Sequence, residues 1–291
     1  MIRIKKAVLP VAGFGTRFLP ATKAIPKEML TIIDKPLIEY AVEEAISAGA
    51  EEIIFITSHT KPSIKKHFSE APELEKRLKD SGKLNLLKKI KPEIFKNIKF
   101  TYIDQAKQKG LGHAILLAEN AVGDDAFSVL LPDDLFLSTP TCLQQILDSY
   151  SKNLQSVIAV NKIDKENIHK YGVIDQGNNK LDESNTVTIS DIVEKPIAAD
   201  APSDIAVVGR YIFNPSIFNC IKQVEADGSG EIQITDAIKL LIQTENVQAK
   251  IFEGDKYDCG SKEGYLEATI AVAMKEPGLS DKIKKTITDK L

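Results

Sequence analysis

The sequence lacks a long apolar run, an excess of either charge, and more than a few cysteines or histidines. Each shortage removes a class of function. A helical membrane span needs about 18 or more apolar residues in succession, and no stretch approaches that length, so no membrane role is expected. The 38 Lys and Arg nearly cancel 41 Asp and Glu, a formal net charge of −3, which argues against a general nucleic-acid binder. Cys142, Cys220 and Cys259 are odd in number and far apart. They argue against a disulfide framework or a zinc knuckle and read as small buried hydrophobes in a reducing compartment. His59, His67, His113 and His169 make no triad pattern with serine or cysteine; all four read as structural or incidental, His113 at a helix start. Met-Ile-Arg-Ile-Lys-Lys runs straight into the first strand, and a cytoplasmic protein is expected. Internal repeats and low-complexity tracts are also absent, which excludes solenoid and linker architectures.

What the chain does have is alternation. At 291 residues it buries about three quarters of its unfolded surface. β-Branched runs at Glu51–Thr57, Phe100–Asp104, Phe127–Leu131 and Ser156–Val160 are separated by helical segments, the signature of βαβ units and a mostly parallel sheet. Pro36–Gly49 has helical spacing with proline near its start and glycine at its stop; Leu37, Tyr40, Ala41 and Ala45 are predicted to face the sheet. In the second half, Tyr171–Ile174, Thr188–Val193, Ile205–Val208 and Arg210–Phe213 come with less helix between them, which predicts a smaller, mixed sheet region. Residues 61–99 carry twelve Lys or Arg against five Asp or Glu, broken at Ser81-Gly82. That interval reads as a solvated helical hairpin whose leucines pack down, in preference to a patch for an anionic surface. Two terminal helices are predicted at Tyr265–Met274 and Asp281–Thr288, free to pack on the core or on another subunit.

The segment Pro10-Val-Ala-Gly-Phe-Gly-Thr-Arg-Phe-Leu-Pro-Ala-Thr-Lys-Ala-Ile-Pro-Lys-Glu-Met-Leu30 comes after a short apolar strand, and so leaves the sheet at the edge where open α/β folds bind ligands. Gly13-Phe-Gly15 is no dinucleotide fingerprint, because Phe18 stands where a third glycine is needed, and there is no Gly-Lys-Ser/Thr of a Walker loop. Arg17, Lys23 and Lys27 all precede the first acidic residue of the loop, Glu28. Backbone N–H groups beside fixed cations make a cradle for several phosphates. Asp133 and Asp134 come after the buried run Phe127–Leu131 and fall at the same edge, and Asp258 comes after another extended segment, Gln248–Phe252. Taken alone, Asp133-Asp134 also suits a helix cap or a turn.

From Lys6 to Pro36 the chain resembles the bacterial UTP:glucose-1-phosphate uridylyltransferases, within the sugar-1-phosphate nucleotidyltransferases. Gln108-Lys-Gly-Leu-Gly-His-Ala114, Leu130-Leu-Pro-Asp-Asp134, Tyr171-Gly-Val173, Val193-Glu-Lys-Pro196, Val207-Val-Gly-Arg-Tyr211, Gly230-Glu-Ile-Gln-Ile-Thr-Asp236 and Tyr257-Asp-Cys-Gly-Ser261 resemble the family's later motifs in order. The resemblance implies one three-layer, Rossmann-like α/β nucleotidyltransferase domain over 1–291, with a mixed, mostly parallel central sheet and a smaller accessory sheet. The helical insertion at about 61–99 and the C-terminal helices at about 262–291 match least well. It further implies transfer of a uridylyl group from UTP to glucose 1-phosphate, giving UDP-glucose and pyrophosphate. Arg17 and Lys27 then face the triphosphate, and Lys195 binds the sugar phosphate. Ala12, Gly13, Gly15, Glu28, Gln105, Gly110 and Asp134 surround the nucleotide, and Gly172, Glu194 and Gly209 the hexose. Asp133 with Asp258 holds Mg²⁺, whose preference for one or two carboxylates plus phosphate oxygens such a pair satisfies.

Two rivals arise from the same residues. A relative using dTTP or another sugar phosphate shares the pocket, since uracil and thymine differ only by a methyl at that edge. A non-catalytic sugar-nucleotide sensor would keep the pocket without needing the carboxylates. No nucleic-acid or membrane partner is expected, and the terminal helices suit a homo-oligomer, dimer or tetramer.

Overall fold

A computed structural model describes residues 3–289. Met1, Ile2, Lys290 and Leu291 lie outside the described residues, and with them the outer limits expected of the first segment and the last helix. Among the described residues, eight strands run across a ten-stranded sheet in the order Thr186–Thr188, Gln248–Ile251, Val157–Lys162, Ile205–Phe213, Phe127–Leu130, Lys6–Pro10, Glu52–Thr57 and Lys99–Asp104. The last four are mutually parallel, and Gln248–Ile251 is parallel to Val157–Lys162. Ile205–Phe213 is antiparallel to both of its long neighbours and Thr186–Thr188 to Gln248–Ile251, so six of the eight point the same way, with one reversed strand among them and one at the edge. The sheet is mixed, as expected.

Strand alternation divides the core. Val8, Ile54 and Ile56 face the helices Gly110–Leu116, Ser216–Ile221 and Ile234–Ile242; Ala7, Leu9, Ile53 and Phe55 face Leu37–Ser47 and Cys142–Asn153. With both faces covered, the parallel strands read as continuous apolar runs. The helix Leu37–Ser47 differs from its predicted facing. Ile38, Ala41, Val42 and Ala45 meet the sheet, whereas Leu37 and Tyr40 turn to a separate cluster with Ile32, Leu135, Cys259 and Ala268. Two small antiparallel sheets feed that cluster: Thr31–Ile32 with Lys35–Pro36, and Asp134–Leu137 with Asp255–Asp258.

In the second half, the stretch expected as one strand over Thr188–Val193 is broken at Ser190 into Thr186–Thr188 and Asp191–Glu194. Conversely, Ile205–Val208 and Arg210–Phe213 form one strand, with a register shift between Val207 and Tyr211. Gly209 lies inside the shift at φ 79°, where two extra residues against the partner strand bend it. The hairpin Gly172–Asp175 with Asp191–Glu194 joins the main sheet through Ala206.

Residues 61–99 hold the helices Pro62–His67, Pro72–Asp80 and Leu84–Ile90 with a turn at Gly82, φ 68°. The leucines do not pack down as predicted: Leu74, Leu84 and Leu86 are exposed, and Leu78 and Leu87 are only half buried. The two longer helices lean on each other. The terminal helices run over Lys262–Lys275 and Ser280–Thr288.

Phe55 sits at the centre of a ring cluster, 5.0 Å from Phe68, 5.3 Å from Tyr102 and 6.1 Å from Phe100, and is fully buried. Replacing it with alanine removes ring contacts and leaves a cavity, so Phe55→Ala is expected to cost about 3–5 kcal/mol. Urea unfolding reads this as a lower midpoint at unchanged slope; a loss below about 1 kcal/mol would count against the packing described.

Candidate active site

The strand Lys6–Pro10 ends beside Glu52–Thr57 and Phe127–Leu130, and the segments leaving the carboxyl ends of these three strands form one rim. Val11 keeps the ladder going one step further, its N–H donating to Ile56 O at 2.8 Å. Beyond Ala12 the loop is exposed, and Phe14 is 70% accessible. Three short 3₁₀ turns, Thr16–Phe18, Ala21–Lys23 and Lys27–Met29, fold it back on itself. Gly15 adopts φ 65° and lies so near Lys27 that a Cβ there would come within 3.0 Å of Lys27 Cβ, so the glycine sets the cation against the loop. At Gly13 no atom lies within 4 Å of where a Cβ would stand. The fold makes no demand for glycine there, and the space is open to a ligand. The loop's far side is clipped to the helix Lys262–Lys275: Phe18 meets Tyr265 edge-on at 5.5 Å, and Tyr265 Oη donates to Thr31 O at 2.6 Å.

Asp133 and Asp134 lie in and just after a turn at the end of Phe127–Leu130. Asp134 opens the strand Asp134–Leu137, directly opposite Asp258 in the paired strand; Asp258 is therefore carried by a small sheet and not by the main one. Gly260 reports how close the groups are. A Cβ built on it would lie 2.9 Å from Asp258 Oδ1, 3.2 Å from Asp133 Oδ2 and 3.7 Å from Arg17 Nη1. Both carboxylates and the loop arginine thus border one small space.

Each aspartate of the pair has its own ammonium. Lys27 Nζ bonds Asp133 Oδ2 at 2.5 Å, and Lys256 Nζ bonds Asp134 Oδ1 at 2.7 Å. Burial pushes both carboxyls up, yet Lys27 outweighs burial at Asp133, which sits below the ordinary aspartate value. At Asp134 burial prevails over Lys256, and neighbouring Asp133 adds to it, so that carboxyl sits above. Both lysines are raised, since their carboxylates overcome the cost of burial. The same desolvation gives opposite outcomes because the partners differ.

Of the residues expected at the nucleotide, Gln105 is 3% exposed and Gly110 is the first residue of the helix Gly110–Leu116. Gln108 Nε2 donates to Ala12 O at 3.3 Å. Glu28 lies beneath the loop at 1% exposure, bonded to Lys61 at 2.9 Å, while Lys61 also reaches Val11 O at 2.6 Å. Burial raises the Glu28 carboxyl and lowers the Lys61 ammonium against their mutual attraction. On the other side, Glu194 faces Gly172 across the hairpin, accepts from Thr235 Oγ1 at 2.6 Å and pairs with Lys195 at 3.0 Å. Lys195 is exposed and holds φ 44°, a backbone state costing of order 1–3 kcal/mol in a residue with a side chain. At Gly209 the space of the missing side chain is filled by Asp134, whose Oδ2 would stand 2.5 Å from a Cβ there.

Four residues of this site escape the sequence reading. Lys256 and Lys61 look like ordinary surface lysines in sequence, and only folding buries them. Thr235 and Arg210 lie inside family-like motifs, and that position is the one signal that could have found them. Arg210 is 1% exposed; its Nη1 donates to Leu131 O at 2.8 Å and to Gly209 O at 3.1 Å, its Nη2 to Asp134 O at 2.9 Å, and its Nε to Glu44 Oε2 at 3.0 Å.

Among the described residues no group of three or more His, Cys, Asp or Glu could hold an ion. Two carboxylates bordering one space is nevertheless the number Mg²⁺ takes when phosphates supply further oxygens, so Asp133 and Asp258 fit it. No helix among the described residues is long and apolar enough to cross a membrane.

Loop cations set against carboxylates that border one small space suit transfer of phosphate-linked groups by charge neutralisation and positioning. The chain matches the nucleotidyl transferase family model over residues 6–275 and belongs to that family. It is similar to the UTP–glucose-1-phosphate uridylyltransferase of Bacillus subtilis, 44% identical over 97% of this chain and 96% of that one. A UDP-glucose pyrophosphorylase from Acinetobacter baumannii superposes with TM-score 0.90 at 39% identity, covering 99% of this chain and all of the other. A UDP-glucose pyrophosphorylase structure complexed with UDP-glucose superposes at 0.85 and 44%, covering 94% and 100%.

Lys256→Met would leave Asp134 buried without its cation, at a cost of about 3–5 kcal/mol. An acid whose folded pKa is raised binds more protons folded than unfolded, so its stability contribution falls as pH rises. Without Lys256 less offsets burial and the Asp134 carboxyl rises further, so the loss should be larger at pH 8 than at pH 5. Thermal unfolding at both values tests this, and equal losses would contradict the pairing.

Proposed function

We propose that this chain transfers the uridylyl group of UTP to α-D-glucose 1-phosphate, releasing pyrophosphate and forming UDP-glucose. The observation that carries the reading is the meeting of Arg17, Asp133 and Asp258 around Gly260, with Lys27 bonded to Asp133. This arrangement stands in a chain 44% identical to enzymes named for that reaction.

The nucleophile is a phosphate monoester oxygen, and with a second pKa near ~6 it is already mostly dianionic at neutral pH. No strong general base is then required. The histidines agree: His59 and His67 lie beside Asp104 and Glu39, His113 bonds Gln105, and His169 is exposed. The protein's tasks are in-line placement and neutralisation of charge. Lys195 and Glu194 hold the sugar phosphate, the ammonium on the phosphate and the carboxylate on hexose hydroxyls, with Thr235 orienting Glu194 and with Gly172 and Gly209 at the sugar side. Ala12, Gly13, Gln105 and Gly110 surround uracil over the buried floor made by Glu28 and Lys61, and Gly15 sets the loop. Arg17 and Lys27 stabilise the charge that passes to pyrophosphate. Asp133 and Asp258 would hold Mg²⁺, which supplies neutralisation across phosphate oxygens, and Asp134 supports them. Residues 61–99 are an insertion in one catalytic domain. The same reading places the enzyme in the cytoplasm as a homo-oligomer, for which exposed Leu266, Ile270 and Ile287 on the terminal helices are the support.

Pyrophosphate release with glucose 1-phosphate, Mg²⁺ and each of UTP, dTTP, CTP, ATP and GTP tests the proposal. UTP should be preferred. Asp133→Asn and Lys195→Ala should each lower turnover by roughly two orders of magnitude or more with circular dichroism unchanged. A folded protein silent with every nucleotide overturns the reading.

A further inference from the structure

A primary amide has two ends of opposite character, a carbonyl that accepts and an NH₂ that donates. Its last torsion is broad and nearly two-fold, so a free glutamine can serve either edge of a base. Gln105 is not free. Its backbone N–H donates to Thr57 O at 2.7 Å, and its side-chain Nε2 lies 2.9 Å from His113 Nδ1. His113 is itself fixed, in the helix Gly110–Leu116, which is tied to the chain opposite by Gly112 N–H donating to Ile232 O at 2.8 Å. The NH₂ of Gln105 facing Nδ1 makes that nitrogen the acceptor and leaves the ring proton on Nε2; burial, with Lys109 adding to it, favours the neutral ring.

We propose that His113 is a specificity-setting positioning residue: by engaging the NH₂ end of Gln105 it fixes the amide with its carbonyl available to the base. The proposal rests on the assignment of Gln105 to the uracil edge. A fixed carbonyl selects a pyrimidine whose N3 carries hydrogen, which is uracil or thymine. Cytosine presents a bare N3 and an amino group, so giving its N3 a donor would require the amide turned over. The carbonyl oxygen would then meet the Nδ1 lone pair unless the ring moved its proton, and two acceptors in a part-buried contact are unfavourable. His113 thus discriminates between bases that it need not touch.

The test compares kcat/KM for UTP, CTP and dTTP in the wild type, His113→Phe, His113→Glu and Gln105→Leu, reading CTP as an inhibition constant where its turnover is undetectable. A ratio between two nucleotides on one preparation cancels the folded fraction. His113→Phe, which removes the acceptor, should lower the UTP/CTP ratio by about tenfold or more while leaving UTP/dTTP unchanged, since those bases share the edge. His113→Glu, acceptor-only when ionised, should recover most of the UTP/CTP ratio. Parallel loss of UTP and CTP activity in the Phe variant would overturn the proposal and leave His113 a structural residue. Gln105→Leu separates the two assignments. If it lowers UTP/CTP and His113→Phe does not, the base contact stands and the proposal falls; if it leaves UTP/CTP intact, the base contact falls and takes the proposal with it.

Discussion

The turn bearing the two aspartates hangs on one buried guanidinium. Arg210 binds the carbonyls of Leu131 and Asp134, on either side of Asp133, and its Glu44 partner accepts Leu143 N–H at 2.9 Å with the other oxygen. The helices Leu37–Ser47 and Cys142–Asn153, the strand Ile205–Phe213 and the aspartate turn all converge on that pair. A buried ion pair is costly unless its remaining hydrogen bonds are made, and here the planar fork of donors is matched to fixed carbonyls, with the face of Phe136 4.3 Å away. Lysine has the charge but not the fork. The bend at Gly209 completes the arrangement, because it gives Asp134 room beside the strand from which Arg210 projects.

Around that anchor the site is arranged as charge already compensated. Lys27 rests on Asp133 and Lys256 on Asp134, so neither carboxylate stays desolvated alone. The two ammoniums differ in where they come from. Lys27 belongs to the glycine loop and sits against Gly15, whereas Lys256 lies under Tyr171, 4.9 Å from its ring centre, on the strand that ends in Asp258. Lys27 is therefore the more accessible of the two from the loop's open side, and Lys256 the more enclosed.

Much of this was legible in sequence for definite reasons. Runs such as Glu52–Thr57, buried on both faces, announce parallel strands, and glycine with arginine and lysine after the first strand announces cations at the sheet's carboxyl edge, where Arg17 and Lys27 lie beside Asp133. The hidden parts are those that depend on tertiary position. Leu37 and Tyr40 have helical spacing suited to the sheet, yet they lie at the helix start, where the chain from Thr31–Pro36 and the strand Asp134–Leu137 provide a nearer apolar surface. Spacing cannot report that a hairpin leaves Leu74, Leu84 and Leu86 exposed. Nor can it show that Lys61 and Lys256 end beneath the surface, since a lysine's code is the same in water and in a pocket. His113 does lie near a helix start, as its place after Gly112 suggests; its bond to Gln105, eight residues earlier, requires the helix to turn back over the strand end.

The edge-on contact of Phe18 with Tyr265, and the hydroxyl of Tyr265 on Thr31, join residues at opposite ends of the sequence. Asp258 is likewise distant in sequence from Arg17 and Asp133. Contacts of such separation form late, because the loop they close costs entropy before it returns stability. During synthesis the nucleotide loop emerges first but has no clip and no second carboxylate until almost the whole chain has left the ribosome. A nascent chain therefore carries the glycine loop without these partners, which arrive with the strand Asp255–Asp258 and the helix Lys262–Lys275.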